Sequence, residues 1–330
     1  MTRQELVALI RSNNYGLPYF KQLANKGIFF TNSIRLDITK KHSDTFLFNQ
    51  SIKDVFGIDD PLFDDCYDEV VNGEGHEDSK INSLRSSSLL GLLVFYSVRL
   101  GQRLVFETVI NRKPISFSLN RVVFEKTNQV FHPKTGLSSI DVALYGTANG
   151  EDCVLFLESK FTEYLTRRDM RKAYKRGGVS YPISWKYVSY YERLMRDFPG
   201  IDVMYTEKKG IEMIGHDLHY CEGIKQMISH YIGASHSDEL NIEGRKVYLG
   251  TILYDFSNYS SVDDGKIIED YKSSYHEIAK RLNEFSNMGL ADSIYSKNLI
   301  VIEDAFTYQS FLDLTKGFVI DQSVKEFYSL

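Results

Sequence analysis

Among its 330 residues the chain has one tryptophan, six prolines and three cysteines. Cys66, Cys153 and Cys221 are odd in number, far apart and without C-x-x-C spacing. That excludes a disulfide framework and a cysteine zinc site, and it fits a reduced, cytoplasmic setting. Long apolar runs are missing too. The longest, Leu89–Val98, holds Gly91 and Ser97 and stops at Arg99. It is too short to span a bilayer, so a soluble protein with no membrane partner is expected. The opening segment MTRQELVALIRSNNYG carries charges through its apolar part and lacks a signal-peptide core. There is no excess of positive charge either. Lys and Arg number 39 against 44 Asp and Glu, for a net charge of −5, so any basic surface must be local. No repeat or low-complexity tract interrupts the chain.

What is present suffices for a sizeable core, since 43% of residues are hydrophobic. The length suits one enlarged domain or two closely packed ones. Ile81, Leu84, Ser88, Leu92 and Phe95 recur at helical spacing and predict a helix over Ser79–Arg99. Strands are predicted over Leu104–Ile110, Arg121–Lys126, Ser139–Tyr145 and Cys153–Ser159, bounded by turn residues such as Gly136, Asn149 and Gly150. Further helices are expected over Phe161–Arg176, Ser184–Phe198, Leu218–Tyr231 and Asp270–Phe285. Lys246–Phe256 and Leu299–Ile302 read as strands. The class is therefore α/β with a mixed central sheet flanked by helices.

The segment Ser138–Leu165, SSIDVALYGTANGEDCVLFLESKFTEYL, holds the strongest chemical signal. Its two strands flank a Gly/Asn turn and should pair as a hairpin. Glu158 and Lys160, two apart at a strand end, project to one face, and the hairpin can bring Asp141 beside them. Two converging carboxylates make a hard-oxygen site suited to Mg²⁺, with Mn²⁺ able to substitute. Such an ion polarises a phosphate and lowers the pKa of a bound water. Lys160 can orient that water or stabilise transition-state charge. Acid-x-lysine alone is a weak pattern, and Asp78-Ser-Lys80, Glu207-Lys-Lys209, Asp264-Gly-Lys266 and Asp270-Tyr-Lys272 share it. Only Glu158-Ser-Lys160 closes an apolar strand with a second acid on the neighbouring strand.

On Asp141 followed by Glu158-Ser-Lys160 the chain resembles the PD-(D/E)XK nuclease superfamily, the restriction-endonuclease-like fold. Its wording ESKFTE over Glu158–Glu163 is similar to that of a bacterial group of restriction-type nucleases. That group also has a serine pair opening an apolar helix, as Ser86-Ser87-Ser88-Leu89-Leu90 does, and a Lys/Gln helix before a hydrophobic strand. Gly223-Ile224-Lys225-Gln226 and Val247–Phe256 correspond to the latter. The blocks span roughly residues 72–256 in order. Ile140 stands where the family has proline. A related exonuclease group reads Q-x-x-x-Y, whereas here Gln226 is followed by His230 and then Tyr231.

The resemblance implies a nuclease core over residues 71–256, an N-terminal extension over 1–70 and a C-terminal addition over 257–330 packed on that core, unless all three form one domain. It implies a third carboxylate from the first helix, for which Glu77 is the choice and Glu74 the reserve. Gln226, with Lys225 and His230, is expected over the site as an orienting group. Glu163 could bind a second metal or cap a helix. Arg167, Arg168, Arg171, Lys172, Lys175 and Arg176 stand within ten residues, opposed only by Asp169. They make either a solvated basic face or a grip on a phosphate backbone. The expected activity is Mg²⁺-dependent endonucleolytic cleavage of DNA in restriction or defence. The alternatives are a repair or recombination nuclease, or a catalytically silent nucleic-acid-binding member. A homodimer would suit cutting both strands. Neutralising Glu158 is expected to relieve like-charge crowding and leave the fold intact.

Overall fold

Two-residue turns build the first half of the sheet. In the computed structural model, which describes residues 51–73, 81, 86–129, 137–161, 201–206, 210–215, 221–255, 265–288, 298–328 and 330, β1 (Leu104–Ile110) and β2 (Lys113–Gln129) are antiparallel neighbours. Asn111 and Arg112 join them with φ of 50° and 62°. β3 (Leu137–Ala148) and β4 (Glu151–Lys160) are joined by Asn149 and Gly150 with φ of 51° and 83°. Left-handed backbone at both turn positions matches the twist of the paired strands. Asn149 also accepts the Ser116 N–H through Oδ1 at 2.8 Å, tying the turn to β2. β2 therefore extends well beyond the expected Arg121–Lys126. Its start was hidden because Asn111-Arg112 makes the turn without a glycine.

Before this meander lie α1 (Ile52–Phe56), α2 (Pro61–Val71) and α3 (Ser87–Arg99). α2 opens with Asp60 accepting the Leu62 N–H at 2.8 Å and Pro61 in the first turn, where a missing N–H costs nothing. α3 starts at Ser87 rather than at Ser79, because Ser86 caps it by accepting the Leu89 N–H at 3.0 Å. Every residue from Ser88 to Val98 is buried. α3 is the central helix of the core, packed on β2, β3 and β4, which accounts for its apolar run. Phe63 of α2 meets Tyr96 edge-on at 5.2 Å on its outer side.

The second half of the sheet is parallel. β7 (Lys246–Leu253) runs alongside β4, and β8 (Leu299–Val301) and β9 (Phe306–Thr307) both pair with β7. The strand order is β1-β2-β3-β4-β7-β8, with β9 also on β7. A parallel neighbour requires a crossover. Between β4 and β7 the chain forms a separate hairpin, β5 (Ile201–Thr206) with β6 (Gly210–Gly215), which sequence periodicity did not announce. It then forms α4 (Cys221–Ser235), which packs on β2, β3, β7 and β8. α5 (Gly265–Met288) lies against β8 and contains the helix expected over Asp270–Phe285.

The chain closes with α6 (Tyr308–Leu314) and α7 (Gln322–Tyr328). Phe311 of α6 sits 4.9 Å from Phe106, 5.2 Å from Phe306 and 5.8 Å from Phe95. β8 and β9 share the sheet of β4. The architecture is mixed α/β, a curled mixed sheet flanked by helices. Among the described residues no helix is long and apolar enough to cross a membrane. The helices expected over Phe161–Arg176 and Ser184–Phe198 lie outside the described residues, apart from Phe161 itself.

Candidate active site

Alternation along β4 sends successive side chains to opposite faces. The Ser159 hydroxyl donates to the Ser87 carbonyl of α3 at 2.7 Å and meets Tyr308 Oη of α6 at 2.7 Å. Glu158 and Lys160 therefore project to the other face, toward α4. Both are buried, at 7% and 6% exposure, and the Lys160 ammonium donates to Glu158 Oε1. Their shared face agrees with the spacing argument.

Asp141 comes to the same end of the sheet from β3. Main-chain pairing of β3 with β4 runs from Ala148–Glu151 to Val142–Leu157, so the next position sets Asp141 beside Glu158. There Asp141 Oδ2 accepts the Ser159 N–H at 2.7 Å, and Oδ1 faces the Ser88 hydroxyl of α3 at 3.3 Å. The three serines divide the work: Ser86 caps α3, Ser87 offers its carbonyl to Ser159, and Ser88 touches the acid.

The fourth contribution comes from α4. Gln226 Nε2 approaches Glu158 Oε1 at 3.3 Å. His230, one turn later, places Nε2 2.9 Å from Glu158 Oε2 and Nδ1 2.7 Å from Ser138 Oγ. The Nε2 approach is off the straight hydrogen-bond direction, so it is a close contact rather than an aligned bond. The close seating of α4 depends on Gly233, where a Cβ would come within 2.8 Å of Ser138 Cβ.

One acid here was missed from sequence. Glu125 of β2 has φ of +49° and is skipped in the pairing, since Phe124 pairs with Val142 and Lys126 with Ile140. It stands level with Asp141 on the side away from Glu158 and accepts from Ser139 Oγ at 2.6 Å. Only the register across three strands reveals it. His230, expected over the site together with Gln226, lies four residues after it on the same helical face. Tyr308 and Ser138 carried no signal.

The two central acids differ electrostatically. Burial raises the Asp141 pKa well above the usual carboxylate range, and the charges of Glu158 and Glu125 add to this against Lys160 and the Ser159 N–H. Burial works the same way on Glu158, but Lys160 and His230 outweigh it and hold that carboxyl far below its ordinary value.

Asp141 and Glu158 are the residues that could hold a metal. Among the described residues no group of three or more His, Cys, Asp or Glu side chains is gathered for a metal ion. Mg²⁺ asks for less, because it keeps several waters and is commonly held by one or two carboxylates plus substrate phosphate. The oxygen-only pair fits that demand. Glu77, Glu74, Glu163 and the basic residues Arg168, Arg171, Lys172, Lys175 and Arg176 lie outside the described residues. No family model matches this chain, and comparison with curated proteins and with solved structures finds none similar to it.

Proposed function

We propose that this chain is a metal-dependent nuclease of the PD-(D/E)XK superfamily, with a restriction-endonuclease-like core, that hydrolyses DNA phosphodiester bonds in restriction or defence. One observation carries the reading. The four sequence blocks behind the resemblance meet at the C-terminal end of β4: Ser88 on Asp141, Asp141 beside Glu158, Lys160 on Glu158, and Gln226 on Glu158, with β7 parallel alongside. Ends of parallel strands where the connection crosses over are common ligand sites in α/β sheets.

A bound Mg²⁺ or Mn²⁺ would supply Lewis-acid polarisation of the phosphate and an activated water. Asp141 and Glu158 would be its protein ligands, with Glu77 as a third. Lys160 would orient the attacking water or stabilise charge as the phosphorus–oxygen bond to the leaving group breaks. Gln226 would orient Glu158. The segment holding Arg168, Arg171, Lys172, Lys175 and Arg176 follows Lys160 closely in sequence and would hold the phosphate backbone. A homodimer would place two such sites on opposite strands.

The test is incubation of the purified protein with supercoiled plasmid in Mg²⁺, in Mn²⁺ and in EDTA. Nicked or linear product with either ion and none with EDTA is the expected result. Intact plasmid in all three, across a range of DNA sequences, would count against the reading.

A further inference from the structure

Glu158 is gripped on both oxygens by different elements. Oε1 receives Lys160 from its own strand and Gln226 from α4, while Oε2 faces only His230 among these contacts. The His230 ring is buried, at 6% exposure, and its far nitrogen meets Ser138 Oγ on β3. Gln226 and His230 are four apart on α4, so one helical face presents both. Gly233 completes that face, because its missing side chain lets α4 lie directly on Ser138.

The order of protons in this chain follows from the partners. A carboxylate can only accept, so the nitrogen facing Oε2 must carry hydrogen. The other nitrogen then accepts from, or donates to, a hydroxyl that can do either. We propose that His230 is a positioning residue for Glu158: Ser138 fixes the ring at Nδ1, and the Nε2–H edge, 2.9 Å from Oε2, limits the carboxylate's rotation. Groups that hold a ligating carboxylate from behind typically matter 10–100-fold, roughly, for metal affinity. The metal consequence rests on the nuclease reading above, whereas the orientation of Glu158 does not.

Two substitutions separate positioning from mere packing. His230→Gln keeps a nitrogen donor near the place of Nε2, whereas His230→Asn keeps one near Nδ1 and loses the reach to Glu158. In calorimetric titration with Mn²⁺, His230→Asn is expected to bind about 10–100-fold more weakly than wild type. His230→Gln should restore most of that loss, and Ser138→Ala should fall between them. Equal losses in both His230 variants, following their melting temperatures, would overturn the proposal.

A second measurement needs no metal. Nitrogen–proton correlation spectra of the metal-free protein should show His230 protonated on Nε2, with that proton protected from solvent exchange. Glu158→Gln should shift the signal, and Ser138→Ala should speed its exchange. An Nδ1–H tautomer, or a signal indifferent to Glu158→Gln, would overturn the proposal. Wild-type protein that binds no Mn²⁺ while showing the protected Nε2–H would sink the metal site and support the positioning of Glu158.

Discussion

Asp141 and Glu158 are neighbours of the same charge type, yet their surroundings push them in opposite directions. Burial and two nearby acids crowd Asp141, while Lys160 and His230 compensate Glu158. The expectation that neutralising Glu158 would relieve crowding is therefore reversed. Glu158→Gln removes the carboxylate that the buried Lys160 ammonium donates to and should cost about 3–5 kcal/mol in denaturant unfolding. Asp141→Asn removes the crowded charge and keeps an acceptor for the Ser159 N–H, so it should leave the metal-free protein as stable or about 1 kcal/mol more so. The pH dependence follows with the same signs. Glu158 ionises more readily folded than unfolded, so its contribution is present above the unfolded value of about 4.3 and is lost as pH falls through the folded one. Asp141 holds its proton more tightly when folded, so it costs stability as pH rises above about 3.9 through its folded value. Comparing urea midpoints of wild type and Asp141→Asn across pH checks this. The gap should widen as pH rises, and a gap that stays constant would contradict the account.

At the level of elements, α4 acts on the site through how closely it sits on the sheet. Gly233→Ala forces a Cβ into Ser138 and should cost about 1–3 kcal/mol. It should also withdraw Gln226 and His230 from Glu158, weakening Mn²⁺ binding; a calorimetric isotherm like that of wild type would show that α4 needs no such closeness. α6 is tied to the site from the other face through Tyr308 and the Phe311 cluster. Phe311→Ala should cost about 3–5 kcal/mol, read as a fall in the denaturant midpoint at unchanged slope. These elements also show what periodicity can reveal. The strands around Asp141 and Glu158 were legible because short apolar runs end in Gly/Asn turns, and two-residue spacing alone put Lys160 with Glu158. The start of α3 was misread because apolar spacing continues upstream of Ser86, and only the cap marks the boundary. Glu125, Ser138 and Tyr308 stayed hidden because their roles arise from register and crossover, which are tertiary facts that no local pattern encodes.

For the whole molecule the open contrast is a net charge of −5 against a partner that is itself a polyanion. If the nuclease reading holds, attraction must be concentrated near the site, with the segment Arg167–Arg176 as the candidate. Binding should then weaken steeply with salt, and changing Arg168, Lys172 and Lys175 together to Ala should lower affinity for all sequences and flatten the salt slope. An unchanged slope would move the DNA-binding surface elsewhere without touching the acids. The proposed role of Asp141, Glu158 and Lys160 in phosphodiester cleavage is measured by plasmid cleavage with Mg²⁺ by wild type, Asp141→Asn, Glu158→Gln and Lys160→Ala, each confirmed folded. Wild type should cleave in a metal-dependent manner, and each variant should lose about 100-fold or more. Cleavage that all three variants retain at the wild-type rate would contradict that role.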